Sequence, residues 1–168
     1  MGYTTDFEGR FQLNKPLSED QAAYLTAFAK TRRMKRNAKK TAKRADPLRM
    51  AVRLPAGDEG GYFVSEAGFA GQESGDDVLE YSTAPAGQPG LWCQWTPTED
   101  RHGIEWDGGE KFYEYTAWLV YIIENFLKPW GLILDGEVTW QGQGPDDLGQ
   151  LCVIGNLVHE RQGRVVYG

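Results

Sequence analysis

The chain has 168 residues, and its six Trp, eight Tyr and seven Phe, within a 40% hydrophobic composition, supply ample apolar surface for a packed core. A domain of this length buries about 70% of its unfolded surface, so a wholly disordered chain is excluded. The net charge of −6 conceals two opposed fields: residues 30–53 hold eleven Lys or Arg against one acid, Asp46, and the remainder is strongly acidic. Asymmetry of this kind points to interaction surfaces more than to fold.

In chain order, Asp6 to Leu13 alternates strictly, with Phe7, Gly9, Phe11 and Leu13 on one face, the period of a half-buried antiparallel strand. Ser18 with Gln21 then forms a capping box ahead of a helix whose apolar face is Leu25, Phe28 and Ala29. No Gly or Pro intervenes before Pro47, and Ala, Lys and Arg favour helix. The helix therefore either stops near Arg33 or runs on to about Arg44 as a basic helical extension over 30–46, exposed because its only apolar stripe is Met34, Ala38 and Ala42. Residues 54–90, rich in Gly and Pro, are irregular, with Tyr62-Phe63-Val64 as a short strand candidate.

Order returns with a hairpin of Leu91 to Thr96 and Gly103 to Trp106. A second, more hydrophobic helix is expected from about Gly109 to Leu127, capped by Asp107 and Glu110 and ended by Pro129 and Gly131. The end reads as a meander, with Asp135-Gly136 a bulge or tight turn and Gly155-Asn156 a two-residue hairpin loop. The expectation is one α+β domain over 1–168. Its antiparallel sheet has two helices packed on one face, and a β-α-β-β-α-β-like core is followed by the C-terminal β-meander.

The longest apolar run, Ala117 to Leu127, is broken by Glu124 and Asn125, short of the roughly 20 residues a membrane span needs. The N-terminus lacks a basic stretch followed by an apolar one. A cytoplasmic protein with no membrane partner is the expectation. Cys93 and Cys152 are expected to be reduced and buried.

The strongest site candidate is the basic run Arg32, Arg33, Lys35, Arg36, Lys39, Lys40, Lys43 and Arg44. Lys and Arg neutralise phosphates and release counterions, which drives non-specific nucleic-acid affinity. No aromatics interleave the run, which argues against single-strand stacking. An acidic protein partner, or a solvated face that neutralises the chain's own acids, are the alternatives. The acids Glu99, Asp100, Glu105, Asp107, Glu110 and Glu114 could serve general acid–base or cation chemistry, although Asp107 and Glu110 already have helix-start roles. His102 and His159 have no Cys or His at ligand spacing. The chain carries no Gly-x-Ser-x-Gly, phosphate loop or dinucleotide fingerprint. No catalytic residue, metal or cofactor is assigned. Trp92 and Trp95, three apart on an expected strand, should face opposite ways, making one of them a candidate interface residue.

Several segments together resemble a group of small uncharacterised proteins encoded by phages and bacterial mobile elements. They are Gly2 to Gly9, Asn14 to Leu17, Thr31 to Arg36, Gly90 to Trp95, Trp106 to Tyr113, Phe126 to Gly131 and Gly136 to Gly142. The resemblance brings no catalytic residue or cofactor. It implies an accessory protein that binds nucleic acid or a host protein, some such proteins countering host defence. The leading expectation is a non-enzymatic binding protein acting through residues 32–44. An acidic DNA-mimic inhibitor of a host defence enzyme and a small carboxylate-dependent enzyme are the rivals.

Overall fold

The computed structural model describes residues 3–64 and 75–166, an α+β protein built on an antiparallel sheet. The chain forms two compact units, the first from residues 1–16 and 94–168, the second from 17–93. The second is therefore inserted between two strands of the first.

Unit 1 is a seven-stranded sheet. Its strands are β1 (Asp6–Glu8), β2 (Phe11–Leu13), β5 (Trp95–Pro97), β6 (Gly103–Trp106), β7 (Leu134–Gln141), β8 (Leu148–Ile154) and β9 (Leu157–Gln162). The order is β5-β6-β2-β7-β8-β9, with β1 also on β7. The expected strand over 6–13 is present as two pieces in one register: Phe7 faces Trp140 and Leu13 faces Leu134. Gly9 divides them at φ +105, where a Cβ would sit 3.0 Å from the Glu137 carbonyl oxygen, a conformation that favours glycine. The alternation survives the break, and Phe7, Phe11 and Leu13 are all buried.

The C-terminal meander β7-β8-β9 is antiparallel throughout, with Ile154 and Leu157 facing across a turn in which Gly155 and Asn156 both have positive φ. That is the geometry of a two-residue hairpin loop. Asp135-Gly136 lies within β7 as continuous strand.

The second helix, α4, starts later than expected, at Tyr115 (Tyr115–Ile122), and continues as a π-helical turn to Leu127. The stretch before it is a loop with Gly108, Lys111 and Glu114 at positive φ. Two adjacent glycines, each about 1 kcal/mol poorer than Ala in a helix, occupy what would be its first turn. Gln94 also takes the Glu110 carbonyl, donating at 2.8 Å. Asp107 accepts from the Gly109 N–H, at 2.8 Å. The loop places Phe112 in an aromatic core, 5.3 Å from Trp95 and 5.7 Å from Phe7. Trp95 is 1% exposed and its indole donates to the Tyr115 carbonyl. It is a core residue, not an interface one.

Unit 2 holds α1 (Glu19–Lys30), β3 (Lys35–Arg36), α2 (Ala38–Thr41), α3 (Pro47–Ala51) and β4 (Val78–Glu80), the two strands pairing antiparallel. The capping box forms as expected: Ser18 accepts from the Gln21 N–H and Gln21 from the Ser18 N–H. Tyr62 to Val64 are not a strand. Of the irregular stretch 54–90, residues 65–74 lie outside the described residues. Trp92 is half-buried in this unit. Among the described residues no helix is long and apolar enough to cross a membrane, and Cys93 and Cys152 are buried.

Candidate functional site

The basic run is not a helical extension. The first helix stops at Lys30 because Thr31 turns extended (φ −105, ψ 123) and folds its hydroxyl back onto the Ala27 carbonyl at 2.7 Å. The next N–H groups find partners elsewhere in unit 2: Arg33 donates to Leu91, Lys35 to Thr83 and Asn37 to Asp77. Asn37 then caps the short α2, its side chain accepting from the Lys40 N–H at 3.1 Å.

This path buries two of the four arginines that the sequence suggests should be exposed. Arg33 is 1% exposed, and one nitrogen of its guanidinium donates to the Gly61 and Phe63 carbonyls at 2.7 and 2.9 Å. Its charge also lies over the Phe28 ring at 4.1 Å. Arg36 is 2% exposed and spans both oxygens of Asp77, itself fully buried, at 3.1 Å each. Arg44 reaches the same carboxylate at 2.9 Å, and Thr41 donates to it at 2.7 Å. Both guanidiniums lie over the Phe63 ring, 4.4 and 4.6 Å from its centroid.

Burial alone would raise the Asp77 pKa. The Thr41 hydroxyl and the two arginines outweigh it and hold the carboxyl below its ordinary value. Desolvation lowers the pKa of Arg36 against the pull of Asp77. A second buried acid, Asp46, takes Arg49 at 2.9 Å and the Val64 N–H at 3.1 Å, and desolvation raises its pKa. Two arginines are half-spent: Arg32 lies over the Tyr81 ring at 4.0 Å, and Arg44 keeps 35% of its side chain exposed. Lys35 pairs with Glu59 at 3.1 Å.

What remains is a lysine patch. Lys39, Lys40 and Lys43 are exposed and enter no ion pair among the described residues. The Lys43 N–H donates to the Lys40 carbonyl, continuing the turn. Positions three and four apart on such a turn are neighbours, so the three ammonium groups share one surface. Asp77, the acid that holds this turn, has only its type as a sequence signal, since its partners lie 33 to 41 positions away.

Among the acids of 99–114, Asp100 has a local task. Asp100 takes Arg10 at 3.2 Å, the Thr98 hydroxyl at 2.6 Å and the His102 N–H at 3.0 Å. The Thr98 bond leads the causes that hold its carboxyl well below the usual range. Among the described residues no group of three or more His, Cys, Asp or Glu is placed to hold a metal ion.

Fold and segment together define an α+β protein that presents lysines on a short turn anchored to a buried aspartate. Comparison with protein-family models, curated proteins and solved structures yields no match to the chain.

Proposed function

We propose that the chain is a binding protein that engages nucleic acid, or a nucleic-acid-handling protein, through Lys39, Lys40 and Lys43, with Arg32 and Arg44 at the margin. The observation that carries this reading is the exposure of three adjacent, unbridged lysines on a turn whose backbone is fixed by Asn37 and Asp77. The surface is smaller than the full basic run. Arg33 and Arg36 serve the interior, and Lys35 is neutralised by Glu59. The resemblance to phage and mobile-element proteins suggests an accessory role in a bacterial host.

The test is replacement of all three lysines by Ala, with affinity for duplex DNA measured across a salt series. Each phosphate contact contributes about 0.9 to the slope of log affinity against log salt, so a loss of roughly two to three units of slope is expected. Unchanged affinity and slope would remove the reading.

One observation favours a second reading of opposite polarity. Unit 1 holds fourteen Asp or Glu against seven Lys or Arg, and Asp6, Glu8, Asp135 and Glu137 are exposed on its sheet. That body could occupy the basic groove of a host defence enzyme. Capture of a basic nuclease by the triple-lysine variant, unaffected by nuclease treatment of the lysate, would select it over the first.

A further inference from the structure

The meander of unit 1 has one covered face and one bare one. Val138, Leu151 and Glu160 are neighbours in one row across β7, β8 and β9. Helix α4 lies on their side, its Thr116 hydroxyl donating to Glu160 at 2.9 Å, and Val138, Leu151 and Val153 are buried there. Successive side chains alternate between faces, so Glu137, Cys152 and His159 form a row on the opposite side. On that side Ile154 and Leu157, directly opposed at the hairpin end, are 62% and 65% exposed.

Charge on the bare face is sorted by strand. β7 presents Asp135 and Glu137, β9 presents His159 and Arg161, and all four are exposed. β8, between them, carries no charged residue. None of the four enters an ion pair among the described residues. The groups that hold the two acids are neutral: the Gly155 N–H donates to Asp135 at 2.7 Å and the Gln150 amide to Glu137 at 3.1 Å. The face therefore carries an acidic stripe and a basic one, neither matched within unit 1.

We infer that this face pairs with the same face of a second copy of the chain, about a two-fold axis running along β8 between the copies. That rotation exchanges the two sides of β8 and keeps the rows level. Each β9 then lies over the β7 of the other copy. Glu137 meets His159 of the second copy, with Arg161 one row further on, and Ile154 meets its own counterpart. Stacked sheets lie about 10 Å apart, a gap that Glu and Arg side chains reaching from both can close. The other two-fold in this plane, across the strands, would stack β7 on β7 and set acids against acids. Nucleic acid would meet the β7 acids, and a uniformly basic partner would meet the β9 cations. Opposite stripes on either side of a neutral strand match each other under a two-fold.

Three strands of six to eight residues cover about 300 Å² in plan. That is below the roughly 800 Å² each partner buries in a stable complex, so the dimer is weak and reversible. Sedimentation velocity of the full chain from about 5 to 500 µM tests it, with dissociation expected at roughly 10–100 µM. Glu137→Lys and Arg161→Glu should each weaken self-association at least about tenfold, because like charges then face each other. An equimolar mixture of the two variants should associate as the wild type does, since each supplies the charge the other has lost. Misfolding cannot produce that recovery. A chain that stays monomeric to about 500 µM would overturn the inference and leave the face to another molecule, such as the host enzyme of the acidic reading. Association that neither substitution weakens, or that the mixture fails to restore, would overturn it as well.

Discussion

Asp77 shows how one buried side chain can decide what a basic segment is for. It is fully buried and accepts from Arg36, Arg44 and Thr41, so three residues of the run are turned inward by a single acid. Asp77→Asn would leave the 2%-exposed Arg36 without a counter-charge, and breaking a buried pair in this way costs about 3–5 kcal/mol. The pH dependence has a defined sign. The folded carboxyl titrates below its ordinary value, so its contribution is complete above the unfolded value of about 3.9 and is lost as pH falls through the lower, folded one. Asp46, raised by desolvation, contributes in the opposite sense, being most favourable below its unfolded value and losing that contribution as pH rises through its folded one. The quantity to measure is thus the urea-unfolding difference between wild type and Asp77→Asn. It should be flat from neutrality to about pH 5 and shrink below about pH 4. A difference that grows toward acid would contradict the assigned role of Asp77.

At the scale of elements, two caps separate stability from surface. Ser18 caps α1 with a full capping box, whereas Asn37 caps the turn that carries the lysines. Replacing either by Ala should cost about 1 kcal/mol. Only Asn37→Ala should also lower affinity for duplex DNA, because only that cap positions Lys39, Lys40 and Lys43. Equal loss of affinity in both variants would mean that general destabilisation, not the turn, controls binding. The same two caps mark how far sequence reasoning reaches. Ser18 and Gln21 are three apart, and local spacing alone defines their box. The end of α1 is legible only as one of two alternatives: Lys, Arg and Ala over 32–44 favour helix, and what overrides that propensity is tertiary, a carboxylate 33 to 41 positions downstream and carbonyls from residues 61 and 63. The late start of α4 has a similar cause, since Phe112 is drawn into the core by Phe7 and Trp95. The lysines were found by composition. The burial of the arginines beside them depends on partners that no local pattern exposes.

Across the whole molecule, chain order and strand order disagree in a way that bears on folding. The meander β7-β8-β9 is built from neighbouring segments, with hairpin partners such as Ile154 and Leu157 only three positions apart. Strands β1 and β2, by contrast, pair with β7 across the inserted unit 2 and the segments that follow it, Phe7 with Trp140 and Leu13 with Leu134. Closing so long a loop costs entropy before any contact repays it, and domains dominated by such pairings fold in roughly milliseconds to seconds. Pulsed hydrogen exchange during refolding should therefore protect amides of β7 and β8 that bond within the meander first. The β1 and β2 amides should follow later, with the burial of Phe7 and Phe11. Phe7→Ala, which empties the position where Trp95, Phe112 and Tyr115 all meet one ring, should cost about 3–5 kcal/mol at equilibrium. If Phe7 docks after the rate-limiting step, that loss appears mainly as faster unfolding, with the refolding rate little changed. A refolding rate slowed in proportion to the lost stability would place β1 in the folding nucleus and reverse the order.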